Sequence, residues 1–117
     1  MGNLETPIAG EGLKYTYERY RFNTPSLYLY AIKNAGFDLL SCAMNHCMDR
    51  GEEGIDNTLN NIASAGLEAT GIFRTQAECD KPFIKDINGI KISFVELFSI
   101  LRKNGWQSWN ERKANST

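Results

Sequence analysis

Phe37-Asp38-Leu39-Leu40-Ser41-Cys42-Ala43-Met44-Asn45-His46-Cys47-Met48-Asp49-Arg50-Gly51 is the stretch on which the reading of the fold turns. Its first half is a nearly unbroken apolar run, the pattern of a strand buried on both faces of a parallel sheet. The run ends at Asn45, His46 and Asp49, three groups suited to metal or proton chemistry, and His46 is the only histidine in the chain. Open parallel sheets bind ligands in the crevice outside the carboxyl ends of their strands. Asn45-His46 is therefore the predicted chemical centre. Gly51-Glu52-Glu53-Gly54 follows as a glycine-punctuated acidic loop, read as a solvated approach that favours the N-terminus of the next helix rather than as a ligand set.

On the amino-terminal side, residues 26–35 read as a helix. Thr24 is the expected N-cap, with Pro25 at the first helical position where its missing N–H costs nothing. Tyr28, Ala31, Ile32 and Ala35 make one apolar stripe, and Gly36 ends the helix in a left-handed cap. On the carboxyl side, residues 56–65 repeat the pattern, with Ile55, Leu59, Ile62, Ala63 and Gly66 on one face and a strand over 67–72. Ala35-Gly36-strand thus recurs as Ala65-Gly66-strand 30 residues later, the length of one βαβ unit. This alternation predicts an α/β fold with a parallel sheet and right-handed crossovers.

The pattern then changes. Residues 75–79 form a short helical turn, and residues 82–87 and 90–95 alternate apolar with polar around Asn88-Gly89, a strong hairpin signal. That hairpin is expected to add an antiparallel margin to the sheet. Residues 97–101 extend as a helix, and residues 104–117, with Trp106 and Trp109 among polar neighbours, read as a frayed tail. Residues 1–25 read as connection rather than framework, punctuated by Pro7, Gly10-Glu11-Gly12 and Asn23-Thr24-Pro25. A loop of that length is either a functional flap or poorly supported. The aromatics Tyr15, Tyr17, Tyr20 and Phe22 within it read as loop packing rather than a binding platform.

A chain of 117 residues fits one small domain. A net charge of −1 and the lack of a basic stripe argue against nucleic acid as a partner. No apolar run approaches the ~18 residues of a membrane span, and Met1-Gly2-Asn3-Leu4-Glu5 has neither the cationic start nor the apolar core of a signal peptide. Of the three cysteines, Cys42 and Cys47 flank His46 with a zinc-like spacing but lack a fourth ligand and a second CxxC, so reduced, inert thiols are expected.

Six segments in register resemble the CapA family of capsule and poly-gamma-glutamate biosynthesis proteins. They are Gly2-Asn3-Leu4-Glu5-Thr6-Pro7, Tyr20-Arg21-Phe22-Asn23-Thr24-Pro25, Ala35-Gly36-Phe37-Asp38, residues 45–54, Gly71 with Arg74, and Pro82 with residues 88–92. The resemblance covers residues 2–94; residues 95–117 are read as a divergent C-terminal tail. It implies a partial domain of the calcineurin-like metallophosphoesterase type, two sheets sandwiched between helices. Asn45 would correspond to a metal-binding asparagine and His46 to its partner, which acts on the leaving group or the transition state. Asn3 or Glu5 would lie nearest the ion, which would be manganese, zinc or magnesium. Asp49 and Gly51 would hold the loop after the strand.

Arg21 and Arg74 are the residues suited to an anionic polymer or phosphate-containing substrate, through bidentate hydrogen bonds. Departures from the family pattern accompany these matches. A Gly-Asp strand expected before Gly2 and later histidine-bearing strands lie outside the sequence, and Met44 stands where a second asparagine is common. The implied activity is metal-assisted hydrolysis or transfer. The alternatives are a non-catalytic component that contacts membrane-bound capsule synthase proteins, or a truncated fragment without activity. Relatives are often anchored outside the membrane, and the compartment of this chain is left open.

Overall fold

Leu39, Leu40 and Cys42 are buried in the computed structural model, which describes residues 1–96, 99–102 and 105–108. The apolar run therefore is an inner strand, β2 (Leu39–Ser41), flanked by β1 (Gly2–Asn3) and β3 (Glu68–Thr70) in the order β1-β2-β3. All pairs are parallel: Gly2 and Asn3 stand opposite Leu40 and Ser41, and Ser41 stands opposite Thr70. Helix α1 (Leu27–Asn34) lies between β1 and β2 in the chain, and α2 (Gly51–Ser64) between β2 and β3, so βαβ alternation builds the sheet. Gly36 and Gly66 end the two helices at φ +96° and +76°, a region open to glycine without a Cβ clash.

Successive strand residues point to opposite faces, and the two faces of this sheet meet different partners. Leu40 and Cys42 face a core that contains Leu4, Ile8, Leu29, Ile55, Ile62 and Leu67. Complete burial of each such side chain contributes about 1.5–3 kcal/mol. Ser41 and Glu68 face the other way and meet the residues of the second half, where Lys85 pairs with Glu68 and Glu96 accepts the Ser41 hydroxyl at 2.9 Å.

The second half begins with α3 (Gln76–Asp80), whose N-cap Thr75 accepts the Glu78 amide at 3.1 Å. It continues as the hairpin β4 (Phe83–Ile87) and β5 (Ile90–Phe94), turning at Asn88 and Gly89 with φ +54° and +83°. The hairpin is a sheet of its own and does not extend the parallel sheet as an antiparallel margin. Ser99–Arg102 and Gly105–Ser108 pair as antiparallel strands β6 and β7. The helix expected over 97–101 and the frayed tail from 104 are corrected where these strands run, because Ser99–Arg102 and Gly105–Ser108 satisfy each other's backbone groups as a ladder. Residues 97, 98, 103, 104 and 109–117, including Trp109, lie outside the described residues.

The amino-terminal 25 residues are framework, against the expectation of a connecting loop. Leu4, Ile8, Ala9 and Asn23 are buried. Asn23, 1% exposed, accepts the Ala9 amide at 2.8 Å and donates to the carbonyls of Gly10 and Lys14 at 2.9 Å each. Its backbone exchanges hydrogen bonds with Thr16 at 2.9 and 3.0 Å. Helix α2 closes the other side: Thr58 Oγ1 accepts the Ile8 amide at 3.0 Å, and Asn61 and Asn57 donate to the carbonyls of Ile8 and Ala9 at 2.7 and 3.1 Å. Buried backbone groups must be paired, and here side chains do for residues 8–10 what a neighbouring strand would do.

Two helix readings are adjusted as well. The N-cap of α1 is Ser26, not Thr24, and its inward residues are Leu29 and Ile32, while Tyr28 is 61% exposed. An eight-residue helix with apolar groups on several sides takes the face its neighbours select. Helix α2 begins at Gly51, so Glu52 and Glu53 form its first turn, next to the positive end of its dipole, and Ala63 faces solvent.

Candidate functional site

The last ladder bond of β2 runs from the Cys42 amide to the Thr70 carbonyl at 2.9 Å. The chain then descends through three consecutive turns, closed by Cys47 N to Met44 O, Asp49 N to His46 O and Gly51 N to Met48 O at 3.0–3.1 Å. Gly51, at φ +67°, makes the entry into α2. This places Asn45 and His46 at the carboxyl edge of the parallel sheet. Asn45 is exposed, whereas His46 is part-buried with its side chain 21% exposed.

The imidazole of His46 is held on two sides. Nδ1 lies 2.7 Å from Asp49 Oδ2, and the Phe22 ring lies against the imidazole at 4.3 Å between centroids, tilted by 56°. The Phe22 amide donates to the same Asp49 oxygen at 2.8 Å. A carboxylate accepts only, so Nδ1 carries the proton in this pair, and Nε2 is left as the acceptor of the neutral ring. The arrangement can hold a basic nitrogen in a fixed direction beside an exposed amide.

Arginines fasten the surrounding turn. Arg21 donates through Nη2 to the Asp49 carbonyl at 3.0 Å and pairs with Glu18 at 3.0 Å. Arg50 reaches the carbonyls of Leu13, Lys14 and Asp49 at 3.0, 3.2 and 3.1 Å, with its guanidinium 5.8 Å from the Tyr17 ring. Residues 13–22 are thereby joined to residues 46–50.

The other predicted residues divide. Asn3 and Glu5 are exposed and meet each other, the Asn3 amide donating to Glu5 Oε1 at 3.0 Å. Asn3 stands beside Ser41 in the sheet, so both lie at the same edge as Asn45. Arg74 is directed to α2, where it meets Asn60 Oδ1 at 2.6 Å and Asp56 at 3.7 Å. No described contact joins it to Arg21. A cleft of about 470 Å³ between residues 9–13 and α2 is lined by Glu53, Asn57, Asn60 and Asn61 and contains none of the predicted site residues.

For a divalent ion the donors fit only in part. Among the described residues, no three His, Cys, Asp or Glu side chains converge on one point. His46 Nδ1 is engaged by Asp49, and the Asn3 amide by Glu5. A two-metal centre needs several carboxylates and imidazoles around ions ~3.5–4 Å apart. The described residues do not close such a centre by themselves. The Cys42 thiol is unsuited as a ligand: burial pushes it up to about 12, and the Glu96 carboxylate and Cys47 add in the same direction.

Sequence reading identified Asp49 as a support of this loop but not Phe22 as the wall of the imidazole. It also missed Glu96, whose Oε2 accepts the Ser41 hydroxyl and the Ala43 amide at 2.9 and 3.3 Å. Nothing local marks Glu96, because both partners are more than fifty residues away.

The chain is 27% identical over 94 residues to the PGA biosynthesis protein CapA of Bacillus subtilis (strain 168), covering 79% of this chain and 25% of that protein. It is 26% identical over 96 residues to the capsule biosynthesis protein CapA of Bacillus anthracis, covering 79% of this chain and 23% of that protein. It therefore spans about a quarter of the length of the curated relatives it matches. No solved structure shows a significant match. The match to the family described as bacterial capsule synthesis protein PGA_cap runs over residues 1–117, and the chain belongs to that family.

Proposed function

We propose that this chain serves in the synthesis or export of an anionic capsule polymer of the poly-gamma-glutamate class, with the Asn45-His46 edge as the part that meets substrate. Family membership and the printed roles of the two Bacillus relatives support the process. The observation that carries the site is the shared carboxylate oxygen of Asp49, which receives both His46 Nδ1 and the Phe22 amide. A ring so held keeps one protonation site engaged and offers Nε2 for proton transfer to or from a bound polar group. The exposed Asn45 amide orients the same group through hydrogen bonds.

Arg21, 56% exposed at its side chain beside this turn, supplies a positive charge for a carboxylate or phosphate of the substrate. Arg74, tied to α2, would meet a more distant part of an extended polymer. A divalent ion at this edge would draw on Asn3, Glu5, Asn45 and His46 as a partial donor set, and no step is derived through it.

The test is genetic and chemical. The gene that carries this chain is deleted in its source strain, then restored with either the unchanged sequence or His46→Ala, and surface polymer is measured. Loss of polymer in the deletion and in His46→Ala supports the reading. Full polymer in the deletion removes the capsule role. Polymer lost in the deletion but intact in His46→Ala removes the chemical role of the edge and leaves a non-catalytic component of a membrane-bound synthase complex. Titration of the purified chain with Mn²⁺, compared with His46→Ala, decides the partial donor set: binding that His46→Ala abolishes supports it, and equal binding or none removes it.

A further inference from the structure

We infer that Glu96 is a positioning residue for the Asn45-His46 edge, acting from outside the parallel sheet by clamping the exit of β2. The inference rests on the reading of that edge as the site. Ala43 lies just past the last ladder bond of β2, so its amide has no strand partner on that side. One oxygen of Glu96 takes up this amide at 3.3 Å together with the Ser41 hydroxyl at 2.9 Å. Ala43 precedes Asn45 by two residues and His46 by three, so the direction in which the chain leaves the sheet is fixed at Glu96.

Room for the clamp is made by β3. Gly71, immediately after Thr70, has φ +91°, and a Cβ there would stand 2.1 Å from Glu96 Oε2 and 2.7 Å from both Cβ and N of Ala43. The carboxylate, the strand exit and the glycine interlock. The second oxygen, Oε1, is buried without a hydrogen-bond partner among the described residues. Both donors meet Oε2, so an amide oxygen in its place can perform the same clamping.

The experiment uses the 117-residue chain. As the only histidine, His46 gives imidazole C–H signals in NMR that belong to one residue, displaced by the Phe22 ring against it. In Glu96→Ala at fixed pH, these signals move toward those of a free imidazole, and the Ala43 amide exchanges with solvent faster by on the order of tenfold. Glu96→Gln restores both, because its amide oxygen accepts the same two donors. Gly71→Ala reproduces Glu96→Ala. Unchanged His46 signals in folded Glu96→Ala overturn the inference, as does a Glu96→Gln chain whose signals match those of Glu96→Ala. Should Glu96→Ala fail to fold, Glu96→Asp decides: one methylene shorter, it cannot keep both contacts, and native His46 signals with a protected Ala43 amide in it would be equally fatal. These readouts are independent of polymer synthesis, so a failed capsule role and a failed clamp are told apart.

Discussion

Asp49 Oδ2 stands 2.7 Å from His46 Nδ1 and 2.8 Å from the Phe22 amide nitrogen, so one carboxylate oxygen joins the turn after β2 to a segment 27 residues earlier. The side chain of Asp49 is 13% exposed, and hydrogen bonds to a charged group contribute about 1.5–3 kcal/mol each. Asp49→Ala is expected to lose about 2 kcal/mol of stability in urea titration. In a double-mutant cycle with His46→Ala, the coupling should be on the order of 1 kcal/mol. Strict additivity would mean that the pair does not act as a unit.

Asn23→Ala should be the most damaging polar substitution in the amino-terminal half. It removes one acceptor and two donors at a site 1% exposed, strands the Ala9 amide, and takes one of two donors from each of the Gly10 and Lys14 carbonyls. The expected loss is about 3 kcal/mol, read from the shift of the urea midpoint. Residues 8–16 should also become the first site of limited proteolysis. A loss below that of an ordinary surface substitution would refute the framework role.

Thr58→Val keeps the shape of the side chain but removes the oxygen that accepts the Ile8 amide at 3.0 Å and donates to the Gly54 carbonyl at 2.6 Å. A buried amide left unpaired costs about 1–3 kcal/mol. Hydrogen exchange at Ile8 should accelerate selectively, with little change at Leu40 on the inner strand.

The pH dependence follows from Cys42. Its thiol is raised from 9.0 to about 12, chiefly by burial. The unfolded chain therefore loses this proton first: the contribution is fully present below pH 9 and is lost as pH rises toward 12. Stability against pH should fall above pH 9, and the fall should be shallower in Cys42→Ala. In the native chain at neutral pH, iodoacetamide should label the part-exposed Cys79 well before Cys42, as read by peptide mass spectrometry.

The elements that the sequence made legible are those whose signals are local. The apolar run at Leu39–Leu40, the Ala-Gly endings at residues 36 and 66, and Asn88-Gly89 each carry their conformation within a few residues, and all recur in the fold. The position of Asn45, His46 and Asp49 after the end of an apolar strand is legible for the same reason. What escaped depends on distance along the chain. Asn23 looks like a turn residue until Ala9, Gly10 and Lys14 are brought around it, and Ile8 looks like part of a loop until Thr58 and Asn61 cover it. Glu96 is in the same position, because nothing near it announces Ser41. The inward face of α1 is not local information, because Tyr28 and Leu29 both offer a large apolar body and only the core selects between them.

The side chains that α2 lends to Ile8 and Ala9 reach beyond the stretch they cover. Thr58, Asn57 and Asn61 anchor the start of a ribbon whose far end supplies Phe22 and Arg21 to the turn bearing His46. The helix and that turn are thus coupled twice, once through Gly51 in the covalent chain and once through the ribbon. A disturbance halfway down α2 is felt at the imidazole by the longer road as well as the shorter one.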